Sequence, residues 1–151
     1  MFSSSDSAVI VERVETPAAF SALRELLEEY ENALPPELRH SGEPAFDAAF
    51  LARSGNDYAG CAGVSSAAAG TAVLQRMYVQ PAHRGKGAAR ALAQAAIAYA
   101  RERGCERIVL DTHAERMKAA YRLYRSLGFV ESKPYGEVDY ACPTFMELRL
   151  R

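Results

Sequence analysis

The sequence predicts an α/β domain of the α+β kind, with a mixed central sheet of about six or seven strands flanked by about four helices. Three observations predict it. Three strand-like runs follow one another between residues 48 and 79. A glycine-bearing loop opens a long alanine-rich helix directly after the third run, and a second amphipathic helix lies between two further strands. A doubly wound fold carries its glycine loop after the first strand, so this order argues against one.

Residues 1–7 are rich in Ser and read as loose chain, which leaves 8–151 as a single domain. Residues 8–14 alternate as a first strand. Thr16-Pro17 then supplies an N-cap and a proline at the first helical position. Phe20, Leu23, Leu26, Leu27 and Tyr30 recur at helical spacing, and Pro35-Pro36 ends that helix near Leu34. Residues 37–47 are weakly patterned and suggest a short second helix and a loop. Strands follow over 48–53, 58–64 and 71–79, separated by a Ser-Gly-Asn-Asp turn and a Ser/Ala/Gly loop. Gly60 and Gly63 weaken the middle strand, but they let another backbone or a ligand approach it.

Beyond the glycine loop, Ala88, Leu92, Ala95, Ala96 and Tyr99 form one helical face ending near Gly104. Residues 106–111 read as a strand. Met117, Ala120, Tyr121, Tyr124 and Leu127 mark another amphipathic helix. Gly128 is its left-handed terminator, and Phe129 is set to fold back on Tyr124. Residues 144–150 alternate as a final strand.

The stretch from Leu74 to Arg90 joins strand to helix through Pro81, Gly85 and Gly87, with Arg84, Lys86 and Arg90 adding positive charge. A helix start offers unpaired N–H groups, and bare glycines let an anion reach them. The Walker pattern fails because Gly87 follows Lys86, and the dinucleotide fingerprint fails because Arg90 holds its third glycine place. An ordinary βα connection with a solvated basic face is the alternative.

At 151 residues, 49% hydrophobic and 25% charged, the composition is that of an ordinary globular protein. The net charge of −1 argues against general affinity for nucleic acid or anionic membrane. Locally the charge is uneven. No Asp or Glu occurs from Tyr58 to Arg101, whereas Glu25, Glu28, Glu29 and Glu31 crowd the first helix. The basic region suits an anionic cofactor; the acidic helix suits a cationic acceptor or is simply a solvated face. Cys61, Cys105 and Cys142 have no ligand-like spacing, so a reduced, cytoplasmic setting is expected, with neither disulfides nor zinc. No secretory or membrane-spanning pattern is present in the sequence.

Arg84-x-x-Gly87-x-Ala89, after Val79-x-Pro81 and before Leu92, resembles the coenzyme A pyrophosphate loop of the GNAT superfamily of acyl-CoA-dependent N-acyltransferases. Ala120-x-x-Leu123-Tyr124-x-x-Leu127-Gly128-Phe129 resembles the family's second signature, and the order of elements matches over most of the chain. The resemblance implies acetyl-CoA as cosubstrate without a metal, and transfer of its acetyl group to a small-molecule or peptide amine. Residues Arg84, Gly85, Lys86, Gly87, Ala88 and Ala89 would hold the pyrophosphate. The backbone of Met77, Tyr78 and Val79 would pair with the pantetheine arm, and Tyr124 would be the general acid. It implies no nucleic-acid or membrane partner and admits a homodimer. A non-catalytic acyl-CoA-binding module or sensor is the alternative function, and a core tyrosine is the alternative reading of Tyr124.

Two positions depart from the family pattern. Met117 stands where an asparagine often contacts the cofactor, and Val73 where some members carry a catalytic glutamate. Asp111, His113, Glu137 and Asp139 are the remaining candidate bases, although Asp111 and His113 also suit a turn cap and an exposed ring. A lysine-like amine of pKa about 10.4 is neutral in only about one molecule in 2500 at pH 7, a penalty of roughly 4–5 kcal/mol. An acceptor with a pKa near 8 largely escapes it.

Overall fold

The computed structural model describes residues 9–40, 42, 44–136, 138 and 143–151. Residues 1–7, Glu137, Asp139 and Cys142 lie outside the described residues. The elements are β1 (Val9–Arg13), α1 (Pro17–Ala33), β2 (Ala48–Ser54), β3 (Asp57–Ala68), β4 (Thr71–Val79), α2 (Ala88–Glu102), β5 (Arg107–Thr112), α3 (Lys118–Ser126), β6 (Val130–Glu131) and β7 (Thr144–Arg149). They build a seven-stranded sheet in the order β1-β2-β3-β4-β5-β7-β6. Only the β4–β5 pairing is parallel. The mixed sheet agrees with the expected fold class. The described residues form three α-helices, and the expected short second helix is one 3-10 turn, Pro36–Leu38. Two consecutive prolines withhold N–H donors there, and the turn ends before an α-helical nucleus can form.

Both faces of the sheet are covered, which is why the central strands read as apolar runs rather than as alternation. On β2, Phe50 and Ala52 face one core, with Leu92, Ala96, Ile108, Leu110, Tyr124 and Phe129. Ala49 and Leu51 face the other, with Leu23, Leu26, Cys61 and Tyr78. Thus α2 and α3 cover one face and α1 the opposite one. On α2 the fully enclosed positions are mostly alanine (Ala88, Ala93, Ala96, Ala100), so the helix lies close against the strands.

The caps follow the sequence closely. Thr16 Oγ1 accepts from Ala19 N–H at 3.1 Å, with Pro17 at the first helical position. Helix α3 ends in a Schellman motif: Gly128 has φ 104°, its N–H donates to Arg125 O, and Phe129 N–H donates to Tyr124 O, each at 3.0 Å. The Tyr124 and Phe129 rings then meet edge to face, centroids 5.7 Å apart.

Strand β3 runs to Ala68, beyond the expected end at residue 64. Its small, weakly strand-forming residues 65–68 are held by pairing with β4, where Ser65 opposes Val73 and Ser66 opposes Ala72. The two strand glycines serve close approach. A Cβ on Gly63 would overlap the Phe46 ring, and one on Gly60 would lie 2.5 Å from the Tyr78 carbonyl oxygen. The second neighbour is backbone and cannot swing aside. Gly60→Ala is therefore expected to destabilise the fold by about 1–3 kcal/mol. Urea unfolding checks this, and an unchanged midpoint would mean that β4 yields without cost.

Candidate active site

The site begins where β4 and β5 part. Their parallel pairing covers Thr71–Arg107, Ala72–Ile108 and Val73–Val109 and then stops, although β4 continues to Val79 and β5 to Thr112. Beyond Val73, β4 therefore has no strand partner on its β5 side. Its other edge is bulged. Cys61 opposes Tyr78 and Gly63 opposes Gln75, so β4 spends one residue more than β3 over that span. Arg76 takes the strain at φ 53°, a left-handed conformation that costs a non-glycine residue about 1–3 kcal/mol. The Cys61 thiol donates to the Arg76 carbonyl at 3.6 Å and steadies the bulge.

The opening is a cleft. Leu74, Gln75, Arg76 and Met77 line it from β4, Leu110, Asp111 and Thr112 from β5, and Tyr124, Ala120 and Met117 from α3 and its N-cap. Tyr30 from α1, Leu38, Arg39 and His40 after it, and Tyr135 complete the wall. The weakly patterned 37–47 segment borders the cleft through Leu38, Arg39 and His40; sequence reasoning did not single out Tyr30, Arg39, His40, Arg76 or Tyr135. The Pro35-Pro36 break after an acidic helix was the only signal for the first group.

Tyr124 sits deep, 5% exposed. Burial raises its pKa above the ordinary tyrosine value, and the nearby Tyr30 and Asp111 add to the rise. It is a neutral phenol throughout the physiological range. Burial raises Tyr30 as well, with Glu31 adding and Arg76 opposing. Asp111 accepts a short hydrogen bond from the Tyr135 hydroxyl, so Tyr135 too is held protonated, by burial first and then by Asp111. Burial pushes the Cys61 thiol up to about 12, which leaves it no thiolate with which to act as a nucleophile at neutral pH.

The other candidate bases fare differently. His113 is not among the cleft-lining residues, and its Nδ1 accepts from Arg116 N–H at 3.2 Å, a turn cap. Val73 is buried, and the Thr112 hydroxyl donates to Met117 Sδ at 3.9 Å. Among the described residues no group of three or more His, Cys, Asp or Glu is arranged to hold a metal.

The glycine loop lies at the C-terminal end of β4. Arg84 Nε donates to Val79 O at 2.9 Å, so this arginine ties the loop to the strand. Gly85 and Gly87 have φ 79° and 89°, with open space where a side chain would stand. Gly87 is the N-cap of α2 and offers no side-chain cap. Among the described residues, the N–H groups of 85–90 have no backbone acceptor. Lys86 is exposed beside them, Ala88 is buried and Ala89 half-buried, while Arg90 reaches across to Ser126 Oγ at 2.7 Å. A row of free N–H groups at a bare helix start, uncovered by side chains, fits a pyrophosphate. On β4, Met77 is half-buried, Val79 is buried, and the Tyr78 side chain turns away to Glu29, its hydroxyl donating at 3.3 Å.

The mixed sheet thus opens beside an uncovered helix start. The chain belongs to the GNAT acetyltransferase family, whose model matches residues 15–129. A stretch of 68 residues is 47% identical to the Escherichia coli K12 protein described as uncharacterized N-acetyltransferase YjgM, covering 45% of this chain and 36% of that protein. Another of 74 residues is 43% identical to the Danio rerio N-acetylaspartate synthetase, covering 48% of this chain and 25% of that one. The matches thus span roughly a third and a quarter of those curated relatives. Among solved structures, an N-acetyltransferase of Staphylococcus aureus Mu50 superposes with a TM-score of 0.76 at 18% identity, over 96% of this chain and 100% of that one. The Salmonella typhimurium protein yncA, solved with its cofactor acetyl-CoA, gives 0.75 at 21% identity, over 96% and 95%. These likenesses show the fold.

Gly87→Glu fills the open approach to the loop and sets a negative charge facing the anion. Acetyl-CoA affinity is expected to fall by more than about tenfold, or 1.4 kcal/mol. Calorimetric titration checks it, with circular dichroism confirming the fold. Undiminished binding would remove the loop from the cofactor site.

Proposed function

We propose that the protein transfers the acetyl group of acetyl-CoA to an amine by direct attack of the nitrogen on the thioester. The observation that carries this is the parting of β4 from β5 with Tyr124 in the wall of the opening. The pantetheine arm adds to the free edge of β4 through the backbone of Met77, Tyr78 and Val79, as a peptide adds to an exposed strand. The pyrophosphate lies on the N–H groups of the 84–89 loop. Bound there, acetyl-CoA supplies an activated acyl group on a thiol leaving group. Residues 8–151 act as one domain, and the free thiols of Cys61 and Cys105 suit a reducing, cytoplasmic setting.

Tyr124 donates its O–H to the departing sulfur. A thiol has a pKa of about 8.5, well below that of this buried phenol, so the hydrogen bond carries most of the benefit and full proton transfer little. The sulfur leaves as a thiolate hydrogen-bonded to Tyr124, and the proton lost by the attacking nitrogen passes to solvent, which protonates the thiolate in turn. The buried thiol of Cys61 offers no acyl-enzyme route, which favours direct attack.

Deprotonation of the amine has no glutamate at position 73 to serve it. Asp111 is the carboxylate in the cleft wall among the described residues, and the low-pKa acceptor remains the simplest escape from the penalty. A binding-only sensor draws its support from Val73, which stands where some members of the family carry a catalytic glutamate, and from Met117, which stands where an asparagine often contacts the cofactor. Acetyl-CoA turnover against a panel of amines separates the two readings: binding without turnover of any amine would favour the sensor.

Tyr124→Phe keeps the ring against Phe129 and deletes only the hydroxyl. The expected result is a fall in kcat of about 10²-fold, the low end for acid catalysis, with the acetyl-CoA dissociation constant unchanged. A kcat within about twofold of wild type, with chemistry rate-limiting, would return Tyr124 to the core alone.

The pH profile offers a separate check. Because its pKa is raised, Tyr124 stays protonated to beyond pH 10 and contributes no alkaline fall below that. With valine at position 73 in place of a glutamate base, the rise of kcat/KM should track the acceptor amine's own ionisation. A rise near pH 6–7 that stays fixed across amines of different basicity would reveal an enzyme base instead.

A further inference from the structure

We propose that the acceptor is an amine that also carries a carboxylate, an amino-acid-like molecule whose acid group is held by Arg76, with Arg39 at the rim. The proposal rests on the transferase reading and adds the acceptor's class to it. Arg76 is half-buried in the cleft wall, and Arg39 is exposed at its mouth. Among the described residues Arg76 makes no ion pair and no side-chain hydrogen bond; the four ion pairs involve His40, Arg107, Arg116 and Arg149 instead. Among the described residues Arg39 commits only Nε, to Leu34 O at 3.1 Å, and its two terminal nitrogens have no partner there.

The neighbouring charges do not satisfy these guanidinium groups. His40 is closed onto Glu31, Nδ1 to Oε2 at 2.7 Å and its N–H to Oε1 at 2.8 Å. Asp111 stands on β5, on the other side of the opening, and holds the Tyr135 hydroxyl. The wall therefore presents two guanidinium groups against one carboxylate, among the described residues. A guanidinium fork suits a carboxylate held through two parallel hydrogen bonds.

The bulge supplies the aim. Tyr78 faces the α1 core and Leu74 the α2 core, four residues apart, so the strand's alternation has shifted by one between them. Arg76 lies at that shift and lines the opening instead of either packed core. Arg76 on β4 and Tyr124 on α3 line the same cleft, so an acceptor whose carboxylate lies on Arg76 carries its neutral amine into the opening that Tyr124 borders.

The test compares each of the common amino acids with its carboxamide as acceptor, with kcat/KM expressed per neutral amine because amidation lowers the amine pKa. Wild type should favour the acid by at least about tenfold for the best acceptor. In Arg76→Gln the acid-to-amide ratio should fall to about one, chiefly through KM, with the acetyl-CoA dissociation constant unchanged by calorimetry. Arg76→Lys should restore part of the preference, and Arg39→Gln should lower it less than Arg76→Gln does. Equal use of acid and amide by wild type, or turnover confined to amines without an acid group, would overturn the proposal and leave the transferase reading intact. An acid preference that survives in Arg76→Gln would also overturn it. Binding of acetyl-CoA without transfer to any amine would instead sink the transferase reading, and this proposal with it.

Discussion

The site depends on one constraint: a sheet bonded continuously at one end and unbonded in the middle at the other. Three parallel pairs join β4 to β5, and beyond Val73 and Val109 the strands part. Unpaired backbone polar groups are costly when buried, so the two halves must be held from outside the opening. The shared core does this. Leu92 and Ala96 of α2 pack with Ile108 and Leu110 of β5, Tyr124 of α3 and Phe129, and also with Phe50 and Ala62 from the other half. That cluster bridges both halves of the sheet on one face. The cleft stays open because the helices beneath it are closed.

The first helix is less passive than an acidic solvated face. Glu29 takes the Tyr78 hydroxyl and, at 3.0 Å to each oxygen, the Gln80 side-chain amide, so it clips the end of β4 just before the glycine loop. Glu31 clips His40. Two carboxylates that looked free to attract a cationic acceptor are thereby occupied in positioning the strand and the cleft wall. The charges lining the cleft itself are Arg76 on β4, Asp111 on β5, and Arg39 and His40 after α1.

Much of this was legible in the sequence, for identifiable reasons. Helices α2 and α3 announce themselves through 3.6-residue periodicity and glycine terminators, and the Thr16-Pro17 and Gly128-Phe129 caps formed as their local chemistry dictates. The glycine loop was legible because its requirement is local: bare backbone at a helix start. The bulge at Arg76 was not, because nothing in Leu-Gln-Arg-Met-Tyr-Val marks where β4 spends an extra residue; that follows from pairing with β3. Tyr30 and Arg39, from α1 and the turn after it, meet Tyr135 in one cleft from nearly a hundred residues away along the chain, and only the tertiary fold relates them. Residues 65–68 misled in the opposite sense, since their weak strand propensity is overridden by their hairpin partner.

On the proposed mechanism, the structural and chemical readings of Tyr124 need not compete. Its ring closes the core against Phe129, and its carbonyl accepts the bond that ends α3. The same burial that makes it a core residue raises its pKa and keeps the hydroxyl protonated at the cleft. A more exposed tyrosine would have a pKa nearer the leaving thiol's and would transfer its proton more readily. It would also lose the fixed direction that packing on Phe129 imposes and would compete with water for the sulfur. With a leaving group as stable as a thiolate, orientation is worth more than acidity. A buried, weakly acidic and rigid donor is the form that trade-off favours.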